Sequence, residues 1–227
     1  MVLYWAIFWV LRLKTAKNKI NPFYLYIQNP HLPGSVFYVK MKHMKQMILL
    51  MGGQGVGKGT FARMLNNHNK YKIIETGKML RDAATTDKTI ADIMARGELL
   101  PFETLVHLIE KNIDTDHDLL LDGFPRTMDQ AKWLVDNYAD KFNIHVLYLN
   151  VPESVMIARI QKRIREGGGR ADDADTSAVR KRLDTFWHTT MPAIEWLATV
   201  PNIKFSDIDV TGDVDKNFQN ILQALKQ

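Results

Sequence analysis

Residues Met47 to Leu65 read MILLMGGQGVGKGTFARML: five apolar residues, a cluster of glycines around one lysine, then a stretch with helical periodicity. Gly52, Gly57 and Lys58 satisfy the spacing G-x-x-x-x-G-K of a phosphate-binding loop, placed directly after a predicted strand and opening a predicted helix. That spacing has a physical reason. Glycines allow backbone conformations and close approaches that side chains block, so successive N–H groups converge on phosphate oxygens. The helix start adds partial positive charge, and Lys58 adds a full one. A glycine-rich turn that merely precedes a helix is the plainer alternative, but it does not account for strand, loop, lysine and helix in that order.

The chain has 227 residues, 46% of them hydrophobic, which is enough for one sizeable folded domain with insertions. Its net charge of +5 suits a polyanionic ligand, nucleic acid or an anionic membrane, and does not choose among them. There is no cysteine. Disulfides and sulfur-held zinc are thereby excluded, and the absence fits a reducing compartment without proving one.

From Met47 onward, strand-length apolar runs alternate with helical stretches. The expected strands are Met47 to Met51, Lys72 to Thr76, Asp118 to Phe124, His145 to Val151 and Ile203 to Val210. The expected helices cover Gly59 to Asn69, Lys78 to Ala95, Phe102 to Asn112, Met128 to Lys141, Pro152 to Glu166 and Thr176 to Ala198. A closing helix follows from Val214, Phe218, Ile221, Leu222 and Leu225. Nearly continuous apolar strands alternating with helices predict an α/β fold whose central parallel five-stranded sheet is covered on both faces. Two regions break the rhythm, Met79 to Asn112 and Arg165 to Ser177, and both read as insertions at the ligand-facing end of the sheet.

Residues 1–45 read as an extension. Val2 to Leu11 is apolar and aromatic, but a membrane span needs roughly 20 such residues. It also lacks the preceding positive charges and the small-residue cleavage site of a secretory signal. Asn21 to Gln46 shows neither a helix nor a strand period. Three readings compete for this segment: no part of the working protein, a loosely packed extension, or an interfacial anchor built on its Trp and Phe cluster.

One position departs from the general phosphate loop: Gly59 follows the lysine, and the hydroxyl comes one step later as Thr60. GGQGVGKGT resembles the loop of nucleoside monophosphate kinases, and of the adenylate kinase family in particular. The resemblance extends through ETGKMLRDA (Glu75 to Ala83), DIMARGELLP (Asp92 to Pro101), LLLDGFPRTMDQA (Leu119 to Ala131) and the arginine-rich run from Ala158 to Phe186. It implies a three-layer P-loop NTPase fold over residues 46–227, with an insertion at 76–101 that receives the nucleoside monophosphate and a short lid at 164–176. It also implies an enzyme that transfers phosphoryl reversibly from ATP to AMP, giving two ADP.

The family's roles pass to matching positions of this chain. ATP would lie against Gly53, Gly55, Val56, Gly57, Lys58, Gly59 and Thr60, with Arg159 on its adenine. AMP would be held by Thr76, Gly77, Arg81, Glu98, Leu100, Gly123, Arg126 and Gln130, with Gly97 along the same edge. Lys58, Arg126, Arg163, Arg170 and Arg182 would carry the transferring phosphoryl group, and Arg170 and Arg182 would also reach AMP. A lone arginine is usually a solvated surface residue; convergence on one loop changes that reading, because a planar guanidinium donates two parallel bonds to phosphate. Magnesium would accompany ATP, oriented by Asp122 through water and by Thr60, with no zinc. The resemblance further implies a cytoplasmic monomer whose partners are ATP, AMP and ADP, with neither nucleic acid nor stable membrane insertion.

Two residues depart from the family pattern. Lys78 stands where the family has Asp, which removes one carboxylate near the magnesium-bound water, and Gln54 replaces a common Pro. Thr76 with Gln130 points to adenine as the accepted base, whereas uridylate and cytidylate kinases tend to carry Ala and Asn there. A kinase of that second kind, and a catalytically weak nucleotide-binding regulator, are the alternatives.

Overall fold

A computed structural model of the chain describes residues 24–28, 36–40, 44–96, 98–167 and 176–226. The chain divides into two units, residues 1–43 and 44–227. In the first, Tyr24–Gln28 (β1) and Val36–Lys40 (β2) pair antiparallel, with Tyr24 opposite Lys40 and Gln28 opposite Val36. Both strands fall within Asn21 to Gln46, where the sequence shows no strand period. YLYIQ and VFYVK carry aromatic, β-branched or leucine side chains at most positions, which suits pleated backbone without producing an alternation.

The second unit is built on Lys45–Met51 (β3), which starts two residues ahead of the expected Met47. Then follow Lys58–Asn69 (α1), Lys72–Glu75 (β4), Thr76–Ala84 (α2), Lys88–Ala95 (α3), Phe102–Glu110 (α4) and Leu119–Asp122 (β5). The remainder is Met128–Tyr138 (α5), Phe142–Asn150 (β6), Glu153–Arg165 (α6), Thr176–Thr185 (α7), Met191–Leu197 (α8), Lys204–Asp209 (β7) and Val214–Lys226 (α9). The sheet order is β4-β5-β3-β6-β7, and every pairing is parallel. All five expected strands are thus present in the expected α/β architecture.

Two expected helices are each broken, for local reasons. Lys78 to Ala95 splits at Thr85 to Asp87 because the Asp87 carboxylate accepts the N–H groups of Thr89 and Ile90, at 2.8 and 3.3 Å, and starts α3. The Thr85 and Thr86 hydroxyls meanwhile take up the carbonyls of Asp82 and Ala83. Between α7 and α8, Phe186–Thr190 forms a π-helical turn in which the N–H of Met191 reaches the carbonyl of Phe186. Pro192 has no N–H to give His188, so the regular ladder fails there and the wider turn takes its place.

The core lies where β3 and β5 run side by side. Met47, Leu49 and Leu50 are wholly buried, as are Leu119, Leu120 and Leu121. Strands covered on both faces need no polar side, which is why these read as unbroken apolar runs. Truncating one such leucine to alanine costs roughly 2–5 kcal/mol. The parallel strands end together at one edge of the sheet, at Met51, Glu75, Asp122, Asn150 and Asp209, and it is there that an open α/β sheet binds ligands.

His145 is a polar residue inside this core. It lies on β6 between Ile48 of β3 and Lys204 of β7, 6% exposed, with its Nε2 2.9 Å from the Ser206 hydroxyl. Burial, helped by the Lys204 charge, pushes its pKa down to about 4. The folded state therefore favours the neutral ring. Its contribution is complete above the unfolded value of about 6.5 and is lost as pH falls from there toward 4. On this basis the protein loses on the order of 2 kcal/mol between neutral pH and pH 5 through this residue. Denaturant unfolding at both pH values checks it: His145→Gln is expected to show a correspondingly shallower pH dependence, and an unchanged slope contradicts the assignment.

Candidate active site

The loop from Gly52 to Gly57 turns off the end of β3 and leads into α1. Gly55 has a φ of 86°, and a Cβ there would stand 2.6 Å from the backbone oxygen of Met156. Glycine is required twice over, by the left-handed backbone and by the close approach of α6. Val56 is fully buried beneath the loop. The Lys58 ammonium donates to the carbonyls of Gly52 and Gly53, at 2.7 and 2.8 Å, tying the loop's entry to the first turn of α1. Thr60, in the same turn, is exposed.

Asp122 ends β5 with Leu50 of β3 as its neighbour on one side and Glu75 of β4 on the other. Its Oδ2 lies 4.0 Å from where a Cβ on Gly59 would stand, and Arg63 Nη1 lies 3.9 Å from the same point. Arg63 and Glu75 were not among the sequence candidates. Arg63 follows Gly59 by one helical turn, a spacing that places both on one face. Glu75 precedes α2 at its capping position but makes no side-chain bond to the helix. Lys78 is exposed in the first turn of α2 and makes no ion pair among the described residues.

A second group of side chains lies at the ends of β4 and β5. The Thr76 side chain is 2% exposed, and its hydroxyl has no partner among the described residues. Buried hydroxyls are ordinarily paired by protein, ordered water or a ligand. Gln130, 1% exposed, accepts the Arg126 N–H on Oε1 at 2.7 Å, which fixes its carboxamide. Arg126 Nε donates to the Gly123 carbonyl at 2.9 Å, and the Thr190 hydroxyl from the π-helical turn donates to the Arg126 carbonyl at 3.0 Å. The Arg81 guanidinium folds back over Gly77, 3.3 Å from where a Cβ would stand.

Opposite, α6 presents Arg159 and Arg163 one turn apart, lining a surface groove with Lys162 and Glu166. Arg159 donates to the carbonyls of Val56 at 3.2 Å, Val210 at 2.7 Å and Thr211 at 3.1 Å, joining the phosphate loop to the turn after β7. That turn is shaped by Asp209. The hydroxyl and N–H of Thr211, with the Arg159 charge, hold the Asp209 carboxyl below the usual range. Arg182 is half-buried on α7.

Other expected site residues are engaged within the protein or lie outside the described residues. The Glu98 carboxylate is engaged by Arg96 at 3.0 Å and Lys181 at 2.9 Å. Leu100 is a core side chain, 6% exposed. Gly97, Arg170 and most of the 164–176 segment lie outside the described residues.

Together these side chains form a positively charged strand-end edge, entered by a glycine loop and flanked by a buried hydroxyl and carboxamide. The family model described as adenylate kinase matches residues 50–200. The chain is 37% identical over 172 residues to an adenylate kinase of Prochlorococcus marinus subsp. pastoris, covering 71% of this chain and 90% of the relative. It is also 37% identical over 185 residues to an adenylate kinase of Parvibaculum lavamentivorans, covering 74% and 89%. Against adenylate kinase isoenzyme 1 of Gallus gallus the identity is 30% over 194 residues, covering 82% and 96%. The chain belongs to the adenylate kinase family.

The contact at Gly55 yields a direct test of the loop. Gly55→Ala is expected to lower stability by about 1–3 kcal/mol in denaturant unfolding, because both the backbone angle and the Met156 carbonyl oppose a Cβ. Unchanged stability would contradict the geometry.

Proposed function

We propose that the chain transfers the γ-phosphoryl group of ATP to AMP, reversibly, giving two ADP, with ATP on the phosphate loop and AMP at the ends of β4 and β5. The buried Thr76 hydroxyl, which has no partner among the described residues, beside the fixed Gln130 carboxamide, is the observation that carries the acceptor assignment. With Oε1 already bound to the Arg126 N–H, the Gln130 NH2 group is left to donate to adenine N1, and the oxygen keeps a second lone pair for N6. Arg81 and Arg126 supply charge for the AMP phosphate. Arg159, held against the turn after β7, supplies a flat surface for the ATP base.

Phosphoryl transfer needs no covalent enzyme intermediate; positioning and charge stabilisation carry it. Lys58, Arg126, Arg163 and Arg182, with Arg170 by resemblance, would stabilise the charge that spreads over the transferring oxygens. Magnesium bound with ATP supplies further positive charge to those oxygens. The residues present fit a hydrated, nucleotide-bound ion: Asp122 lies beside the first turn of α1, where Thr60 also stands, and Glu75 is its in-register neighbour. Among the described residues no group of three or more histidines or carboxylates would hold a bare ion. A carboxylate pair accepting hydrogen bonds from bound water is the usual arrangement for so strongly hydrated a cation.

We further assign the enzyme to the cytoplasm as a monomer acting on ATP, AMP and ADP. The cysteine-free sequence fits a reducing compartment, and the cytoplasmic, monomeric reading is the one that the family resemblance implies. No helix among the described residues is long and apolar enough to cross a membrane.

Arg126→Ala tests the acceptor site. Loss of one charge-assisted contact predicts a drop of about 30- to 150-fold in kcat/KM for AMP, with ATP binding nearly intact by calorimetry. A variant that phosphorylates AMP normally contradicts the assignment.

A further inference from the structure

Glu98 and Lys181 are 83 positions apart in sequence, and their side chains meet at 2.9 Å. Glu98 follows α3 on the stretch leading to α4, while Lys181 lies midway along α7. The other Glu98 oxygen accepts from Arg96 Nε at 3.0 Å. Lys181 first, and then Arg96, hold this carboxyl below its usual range, so it is ionised at neutral pH.

Helix α7 is fixed on its other sides. Arg180 lies 3.9 Å from one Glu153 oxygen, and the Trp187 indole donates to the other at 2.6 Å, tying the helix and the following turn to the start of α6. Leu183 anchors it in the core at 2% exposed. The residue next to Lys181 is Arg182, one of the arginines assigned to the transferring phosphoryl group.

We infer that the Glu98–Lys181 ion pair is a positioning contact that couples the acceptor-side insertion to the helix carrying Arg182. Through it, AMP binding and the productive placement of Arg182 favour one another, a coupling that is reciprocal by thermodynamic necessity. Both partners are partly exposed, with side-chain exposures of 49% for Lys181 and 38% for Glu98. Such a pair adds little to global stability and is screened by salt. It is suited to biasing two elements that shift against one another in a binding cycle. The Glu98 carboxylate thus acts on AMP through α7 rather than by touching it. This inference rests on the reading of residues 76–101 as the acceptor-side insertion.

The test is a double-mutant cycle with Glu98→Gln, Lys181→Gln and the double variant in the full chain, following steady-state kinetics and calorimetric binding of AMP. At low salt each single variant is expected to raise the KM and the Kd for AMP about threefold, with the KM for ATP within about 1.5-fold. The double variant should be no worse than either single one. At about 0.5 M potassium chloride the wild type should fall to the level of the variants. Multiplying effects in the double variant would mean independent roles, including direct contact of Glu98 with AMP, and would overturn the inference. So would an unchanged KM for AMP, with or without a lowered unfolding midpoint. Arg126→Ala, run beside them, separates the two failures. A silent cycle with a strong Arg126→Ala effect sinks only the coupling, whereas normal AMP saturation in Arg126→Ala sinks the acceptor site itself.

Discussion

Parallel pairing of β3 between β5 and β6 is the constraint on which the site depends. Its register sets Leu50 beside Asp122 on one flank and Met51 beside Tyr148 on the other. Because the phosphate loop begins one residue past Met51, that register brings the loop, the Asp122 carboxylate and the start of α6 to one edge. A slip of one residue would turn Asp122 to the opposite face of the sheet. The apolar run of β3 therefore sets the geometry of the proposed site as well as the core, because the strand delivers the loop glycines to that edge.

The second determinant is charge. Lys58, Arg63, Lys78, Arg81, Arg126, Arg159, Arg163 and Arg182 occupy the loop, the strand-end turns and the flanking helices, against the carboxylates of Asp122 and Glu75. Two phosphorylated nucleotides bring enough negative charge to balance such a set. Several of these cations are engaged by backbone carbonyls: Lys58 by the loop, Arg126 by Gly123, Arg159 by three carbonyls. Carbonyl contacts orient a cation without neutralising it, which keeps its charge available to phosphate.

Much of the architecture was legible in the sequence because the central strands are buried on both faces and so leave long apolar marks. The loop glycines and Lys58 lie within a short span whose spacing is itself the signal, whereas Asp122, Arg126 and Gln130 were singled out by the resemblance of LLLDGFPRTMDQA to a family motif. The breaks were not legible. The split between α2 and α3 depends on how Asp87 caps, and the π-helical turn depends on how the chain accommodates Pro192 in three dimensions. The Glu98–Lys181 contact escaped a motif reading because its partners lie 83 positions apart. The β1–β2 pair escaped because apolar strands without alternation carry no period. Arg63 and Glu75 escaped because their interest lies in what neighbours them across space, at Gly59 and Asp122.

The central claim is that this edge transfers phosphoryl to an adenine monophosphate. A coupled assay of ADP formation from ATP and magnesium, run in parallel with AMP, dAMP, CMP and UMP as acceptors, tests it most directly. The account predicts turnover with AMP well above that with either pyrimidine, as Thr76 and Gln130 require. A preference for UMP or CMP, or tight ATP binding without turnover of any acceptor, would contradict it.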